Sequence, residues 1–311
     1  MDAKYEYDRF GPWILEINEK DGIPPLFESH INKDATPQLR IKIPRDIERR
    51  VAHPGMNLYD YVITVDNDQL QILERQNDSV GVQELGMSDI KCVEVQEDLL
   101  TGRLRLYTPK KSVNVRFNTV STEVILKLVE LIRAKYVQKG DYKEIEALSF
   151  HPGDTMSHGF TGLLSREMSN NSNIKALLAQ PEVGVALPKE NLIQRIKHVV
   201  TGKKLTETLV LTNGRELIIY NRTPFFRYRN QAVYAINRLY LPIEKITGIA
   251  MDKDNVAESI VRLTLSASQY IFPLLLVEDN PALMPFVGAI SESAGVELHK
   301  GRSYLESSES K

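Results

Sequence analysis

Alternation of apolar and polar residues runs through most of the chain, and two stretches show it best. Residues 205–222 read LTETLVLTNGRELIIYNR, two apolar runs joined by Asn213-Gly214. That pair between such runs predicts a β-hairpin, since glycine takes positive φ at the turn without a Cβ clash. Residues 59–75, YDYVITVDNDQLQILER, do the same. Tyr59, Tyr61, Ile63 and Val65 share one face at period two, Asp66-Asn67-Asp68 supplies the turn, and Leu70 and Ile72 resume the alternation.

Around each hairpin the pattern predicts further elements in the same order. In the first half, 41–44 opens the domain and 47–51 reads as the first strand. Strands at 81–85, 90–95, 103–107 and 113–117 follow the hairpin. The period then changes. Ile125, Leu128, Val129, Ile132 and Tyr136 fall at helical spacing, with a Ser/Thr cap and Glu123 at the start and Arg133 and Lys135 at the end. In the second half, Leu187-Pro188 matches Ile43-Pro44, 246–249 matches 90–93, 261–263 matches 104–106, and Tyr270, Phe272 and Leu274 match Val113, Val115 and Phe117. Leu283, Phe286, Val287 and Ile290 repeat the helical stripe. Two coincident periods, 2 and then 3.6, point to one β-rich unit used twice.

This divides the chain into an arm at 1–35, a domain at 36–148, a connector at 149–184, a second domain at 185–300 and a polar, disordered tail at 301–311. In the arm, 14–17 is a short strand candidate, and Gly22-Ile-Pro-Pro reads as extended through 27 because proline fixes φ and restricts the residue before it. The arm either packs Trp13 and Phe27 on the first domain or offers a strand to a partner. The connector, rich in Gly, Ser and Asn, is either a tether or a strap, with one short helix at 172–180 stopped by Pro181. Two local conflicts stand out. Residues 192–200, LIQRIKHVV, fit a helix as well as the strand that the repeat asks for. Pro285 inside the last helix predicts a short or irregular start.

Each repeat resembles a bacterial pleckstrin-homology-like domain of the GRAM-related kind. The second carries Leu187-Pro188, Thr212-Asn213-Gly214-Arg215-Glu216-Leu217, the Ile246–Ile249 pair and the helix at 281–293. The first carries Ile43-Pro44, the strand at 90–93 with Glu97-Asp98-Leu99-Leu100-Thr101-Gly102 after it, and the helix at 121–136, but has Val65-Asp66-Asn67 where the family has Thr-Asn. The resemblance covers 36–148 and 185–295. It implies a mainly β (α+β) protein of two bent antiparallel sandwiches, each of seven strands closed by a C-terminal helix.

Composition narrows the function. The chain has 311 residues, 42% hydrophobic and 26% charged, which is ordinary for a globular protein of about two domains. The longest apolar run, 270–277, has eight residues and contains Pro273, too short for a membrane helix. The first ten residues, MDAKYEYDRF, do not read as a signal peptide. The only cysteine, Cys92, lies in the alternating run IKCVEV and reads as a buried inert thiol in a reducing cytoplasm. Net charge is −2; residues 185–300 carry 14 basic and 11 acidic side chains, too slight an excess for duplex nucleic acid.

Candidate chemistry concentrates at 220–240, YNRTPFFRYRNQAVYAINRLY, which interleaves Arg222, Arg227, Arg229 and Arg238 with Phe225, Phe226, Tyr228 and Tyr234. Exposed arginine beside aromatics is the composition of protein-recognition surfaces, although the same pattern also fits a long hairpin whose aromatics face the core. The family resemblance implies a phosphoinositide site in the first hairpin loop. There the second domain offers Lys203 and Lys204 but no arginine at 206–211, and the first has AHPGMN at 52–57. His151, Asp154 and His158 have metal-ligand side chains but no further cluster at zinc spacing. Nucleophile elbows and phosphate-cradling glycine loops are missing. The expectation is a non-enzymatic, cytoplasmic, cofactor-free module that docks a protein partner on the 220–240 hairpin or along an open sheet edge. Anionic membrane binding through Lys203, Lys204 and the same arginines is the alternative, with a hydrolase on the His151 loop third. Open edges also permit a homo-oligomer.

Overall fold

A computed structural model describes residues 3–136, 145, 155–185, 202–255, 257 and 259–301. Backbone contacts separate the chain into two units, Met1–Gln138 and Lys139–Lys311. Both are mainly β, built of several antiparallel sheets and a few helices. Among the described residues no helix is long and apolar enough to cross a membrane. The Leu187-Pro188 pair, the 192–200 run, His151, Asp154 and the tail from 302 lie outside the described residues.

Unit 1 opens with helix α1 (Ala3–Arg9) and a five-stranded antiparallel sheet in chain order. Its strands are β1 (Leu15–Glu16), β2 (Leu39–Pro44), β3 (Tyr59–Asp66), β4 (Gln69–Gln76) and β5 (Ser79–Gly86). The β3–β4 turn is as tight as the sequence predicts, with Asp66 opposite Gln69 and Asn67 at φ +50°. A second meander follows: β6 (Cys92–Asp98), β7 (Thr101–Tyr107) and β8 (Ser112–Asn118). Cys92 is fully buried there, and burial pushes its thiol well above the ordinary range. Helix α2 (Thr122–Tyr136) closes the unit with Ile125, Leu128, Val129 and Ile132 all buried, each worth about 1.5–3 kcal/mol of hydrophobic transfer.

The central strands β3 and β4 are buried on both sides, which simple alternation does not predict. Ile63, Val65, Leu70 and Ile72 take one face; Val62 and Leu73 face the arm, where Phe10, Phe27 and Ile31 cover them. The arm is held by polar contacts as well. Arg9 pairs with Asp21 at 2.9 Å, and the buried Lys42 donates to the Gly22 carbonyl at 3.0 Å with its ammonium 4.6 Å from the Tyr59 ring. Phe27 packs as expected. Trp13 does not: it is 55% exposed, because Phe10 and Ile14 take the inward positions and leave its ring lying on Gly11. The 22–27 stretch is extended only as far as Pro24; a 3-10 helix runs from Pro25 to His30. Residues 47–51 are not a strand either. Arg49–Val51 form a 3-10 turn, from which Arg49 donates to the Asp8 and Phe10 carbonyls of the arm.

Unit 2 has a comparable run of strands closed by a helix, with further short strands. Helix α3 (His158–Asn170) precedes β9 (Lys175–Gln180), and then come the short strands β10 (Val183–Gly184) and β11 (Lys204–Leu205). The hairpin follows as β12 (Thr208–Thr212) and β13 (Glu216–Arg222), with β14 (Phe226–Arg227) and β15 (Ile236–Pro242) after it. Its turn is wider than Asn213-Gly214 alone: the Asn213 Oδ1 accepts from the backbone N–H of Arg215 and Glu216, with Gly214 at φ +85°. Strands β9, β12, β13 and β15 pair antiparallel in that order. β10, β11 and β14 form a small sheet. The closing elements are β16 (Gly248–Lys253), β17 (Ile260–Ala267), β18 (Tyr270–Val277), helix α4 (Leu283–Ala294) and β19 (Leu298–Lys300), the last parallel to β16.

One correction comes from β9. Within the 172–180 segment, Lys175–Gln180 form a strand, not a helix, paired to β12 with a bulge at Leu177 and with Leu177 and Leu178 both buried. Strand β9 pairs antiparallel with β12 as β2 does with β3. The described part of the 149–184 connector lies in unit 2. Pro285 is the third residue of α4, and the start is irregular as expected: Ala282 is already in the αR region, the Leu283 N–H bonds the Asn280 carbonyl at 3.0 Å, and the first helical bond runs from the Phe286 N–H to the Ala282 carbonyl. The missing proline N–H is one that a first turn leaves unbonded anyway. A matching detail joins the units. In each, a 3-10 turn (Met87–Asp89, Ile243–Lys245) packs under the closing helix, and the second residue past the turn, Lys91 or Thr247, donates to the strand beyond at 2.7 or 2.8 Å.

Candidate functional site

The 220–240 hairpin of unit 2 is where the sequence places the recognition surface, and most of its cations are spent inside the fold. Helix α3 covers the outer side of β13 through Phe160 and Leu164, and the Tyr220 hydroxyl donates to Glu167. Arg238 lies opposite Tyr220 in the ladder, 2% exposed, with its guanidinium 5.1 Å from the Tyr220 ring. It is a core residue and no part of an exposed face. Arg222 sits 5.4 Å from the Phe160 ring and donates to the Val233 carbonyl at 3.0 Å and to the buried Glu207 carboxylate at 3.3 Å. Glu207 also accepts from the N–H and hydroxyl of Ser157, just before α3, at 2.6 and 2.8 Å. A carboxylate there complements the positive end of the helix.

Arg227 and Lys204 converge on one carboxylate. Arg227 forks onto both oxygens of Glu182, 2.7 Å at Oε1, while Lys204 Nζ lies 2.7 Å from the same Oε1. A further Arg227 N–H points at the carbonyls of Tyr228, Arg229 and Gln231. Burial alone would push Glu182 up, but the hydrogen bonds and charges of Arg227 and Lys204 outweigh it and hold its pKa below the ordinary value. Lys203 stacks 4.6 Å from the Phe226 ring. Of the arginines and aromatics expected to make contact, Tyr228, Arg229 and Tyr234 are exposed. His158 is exposed at the start of α3.

Unit 1 holds a second candidate that sequence reading missed: a cleft of about 1650 Å³ walled by the arm around Trp13, the ends of β2 to β4, and the outer face of β7 and β8. Adjacent ladder rows on that outer face differ in charge. In one, Glu94, Arg105 and Asn114 stand in register, with Arg105 bonded to Glu94 and Asn114 at 2.8 Å each. In the next the residues are Gln96, Arg103 and Arg116. Glutamine stands where the acid would be. Neither Arg103 nor Arg116 has an ion-pair or hydrogen-bond partner among the described residues. Like charges directly opposite on neighbouring strands cost about 0.2–1 kcal/mol.

The far wall is polar and largely self-satisfied. Arg75 holds Asp60 at 2.7 Å, with Arg45 3.9 Å from the same oxygen. The Tyr61 hydroxyl donates to Glu74 at 3.1 Å; burial first, and then Glu74, push its pKa up to about 12, with Arg116 opposing. Tyr61 is therefore a neutral donor at physiological pH. Leu100 lines the rim, 64% exposed, beside Leu99 at 67% and at φ +50°, a left-handed conformation unusual for leucine. The cleft floor depends on Gly102: a Cβ there would lie 2.3 Å from the Phe117 ring paired across from it. The RLRLY and VNVRF alternation does put Arg103 and Arg116 on a solvent face, but their pairing and their closeness to the arm are matters of register. No protein-family model and no curated protein matches the chain.

Proposed function

We propose that the chain is a non-enzymatic binding module of two pleckstrin-homology-like domains that docks a protein partner. The element order supports the domain reading. Setting aside the 3-10 turns at Arg49–Val51 and Thr119–Ser121 and the short strands β10, β11 and β14, the order over 39–136 is four strands, a 3-10 turn, three strands and a helix, and β9, β12, β13, β15, a 3-10 turn, β16 to β18 and α4 follow it. We read this as two bent sandwiches, each plugged by its helix and derived from a doubled gene. The single buried thiol suits a reducing compartment such as the cytoplasm.

The observation that carries the docking reading is the cleft of unit 1, where an unmatched arginine pair adjoins a half-exposed tryptophan. Arginine and tryptophan are the residues most enriched among binding hot spots. On the hairpin of unit 2, Tyr228 and Arg229 supply a smaller surface. Affinity capture with the full chain tests this, followed by reconstitution from purified components. A partner bound by the wild type and lost with Arg103→Glu/Arg116→Glu supports the reading; no reconstituted partner for either form defeats it. Peripheral attachment to an anionic membrane has one observation in its favour, the exposed Leu99 and Leu100 beside Arg103. Vesicle binding that disappears above physiological salt would favour it.

A further inference from the structure

We infer that the ligand of the unit 1 cleft is an acidic, extended peptide segment of another protein, laid along the outer edge of β8. This rests on the protein-docking reading above and names the chemistry that the site takes. Four features converge on it. Arg103 and Arg116 share one ladder row without an acid, and a guanidinium pair of this kind is completed by carboxylates through paired N–H···O bonds. Among the described residues strand β8 is bonded to β7 on one side only, so an incoming strand finds backbone donors and acceptors along its other edge. In an added strand alternate side chains face the same way, so acidic residues two apart meet the arginine face together. Trp13 and Leu100, both more than half exposed, offer apolar cover to a side chain beyond them. The volume, about 1650 Å³, exceeds the roughly 300–1,000 Å³ usual for small-molecule pockets.

Unit 2 shows the same chemistry completed from within its own chain. Glu182 immediately precedes β10, which pairs antiparallel with β11, and its carboxylate bridges Lys204 and Arg227. An acidic residue next to a short added strand is already how this protein satisfies one pair of cations. In unit 1 no described residue fills that role.

The only tryptophan of the chain lies in the cleft, so its emission reports occupancy directly. The full chain is titrated with an eight-residue peptide alternating glutamate with leucine and serine, its lysine-for-glutamate counterpart, inorganic phosphate, and phosphatidylserine vesicles. The acidic peptide is expected to shift Trp13 emission to the blue and to bind at least tenfold tighter than the lysine peptide. Arg103→Glu/Arg116→Glu should invert that preference, and Arg116→Gln should weaken acidic binding with unchanged circular dichroism. Unchanged emission with the acidic peptide overturns the inference, as does a response to phosphate or vesicles alone, or equal affinity in the inverted variant. A reconstituted partner that still needs Arg103 and Arg116 while the acidic peptide fails would sink this inference and leave the docking reading standing. Loss of both would sink the two together.

Discussion

Two arginine-rich surfaces on this chain look alike as sequence and differ in availability. Around Lys204 and Arg227 in unit 2, Glu182 neutralises both cations, and Arg238 nearby is sealed in the core. Around Arg103 and Arg116 in unit 1, the ladder row places glutamine where the next row has glutamate. Charge density therefore does not mark a binding face; unmatched charge does. The denser cluster is mostly scaffold, and the sparser pair is the one left without a partner among the described residues.

Substitutions in the two regions should separate scaffold from surface, beginning with the largest effect. Arg238→Ala removes a buried side chain stacked on Tyr220 and should cost about 2–5 kcal/mol in urea unfolding of unit 2. An outcome near zero would mean that the buried guanidinium is no part of the scaffold. Gly102→Ala forces the Phe117 ring from its seat and should cost about 1–3 kcal/mol in unit 1, with Trp13 emission perturbed as the cleft floor moves.

Glu182→Gln weakens a charge-assisted bridge and should cost about 1–2 kcal/mol. The wild-type contribution is pH-dependent. Because the folded carboxyl titrates below its ordinary value of 4.5, the unfolded chain takes up the proton first on acidification. The stabilisation is complete above about 4.5 and fades as pH falls through the lower folded value. Wild type and Glu182→Gln should therefore converge in acid, as thermal scans across that range would show. The smallest effect carries the opposite sign: Arg116→Gln relieves repulsion with Arg103 and should stabilise unit 1 by about 0.2–1 kcal/mol, more at low salt. A loss of stability instead would mean that Arg116 has a structural partner.

What could be read from the chain follows the range of the interaction involved. Period-two alternation located β3, β4, β12 and β13, and the 3.6-residue stripe located α2 and α4, because each signal is complete within one element. Pro285 foretold an irregular start because it too acts within one element, and α4 is indeed preceded by a tight turn from Asn280 to Leu283. The 172–180 segment has apolar neighbours that satisfy either a helix or a strand, and pairing with β12 decides between them. The same limit hid the roles of the arginines. Arg238 reads as a polar position on a hairpin until α3, some seventy residues earlier, covers that side of the sheet. Arg103 and Arg116 become a pair only when the turn between Thr108 and Lys111 and the β7–β8 ladder set them face to face.

Strand β19 returns after α4 and lies parallel against β16, with Leu298, His299 and Lys300 opposite Ile249, Ala250 and Met251. Those three residues therefore act as a lid on a sheet margin as well as an anchor for the helix before them. A version cut short just after Ala294 would bare a row of hungry amides on β16, inviting stray strands and clumping, so shortened forms of this chain should end no earlier than Gly301.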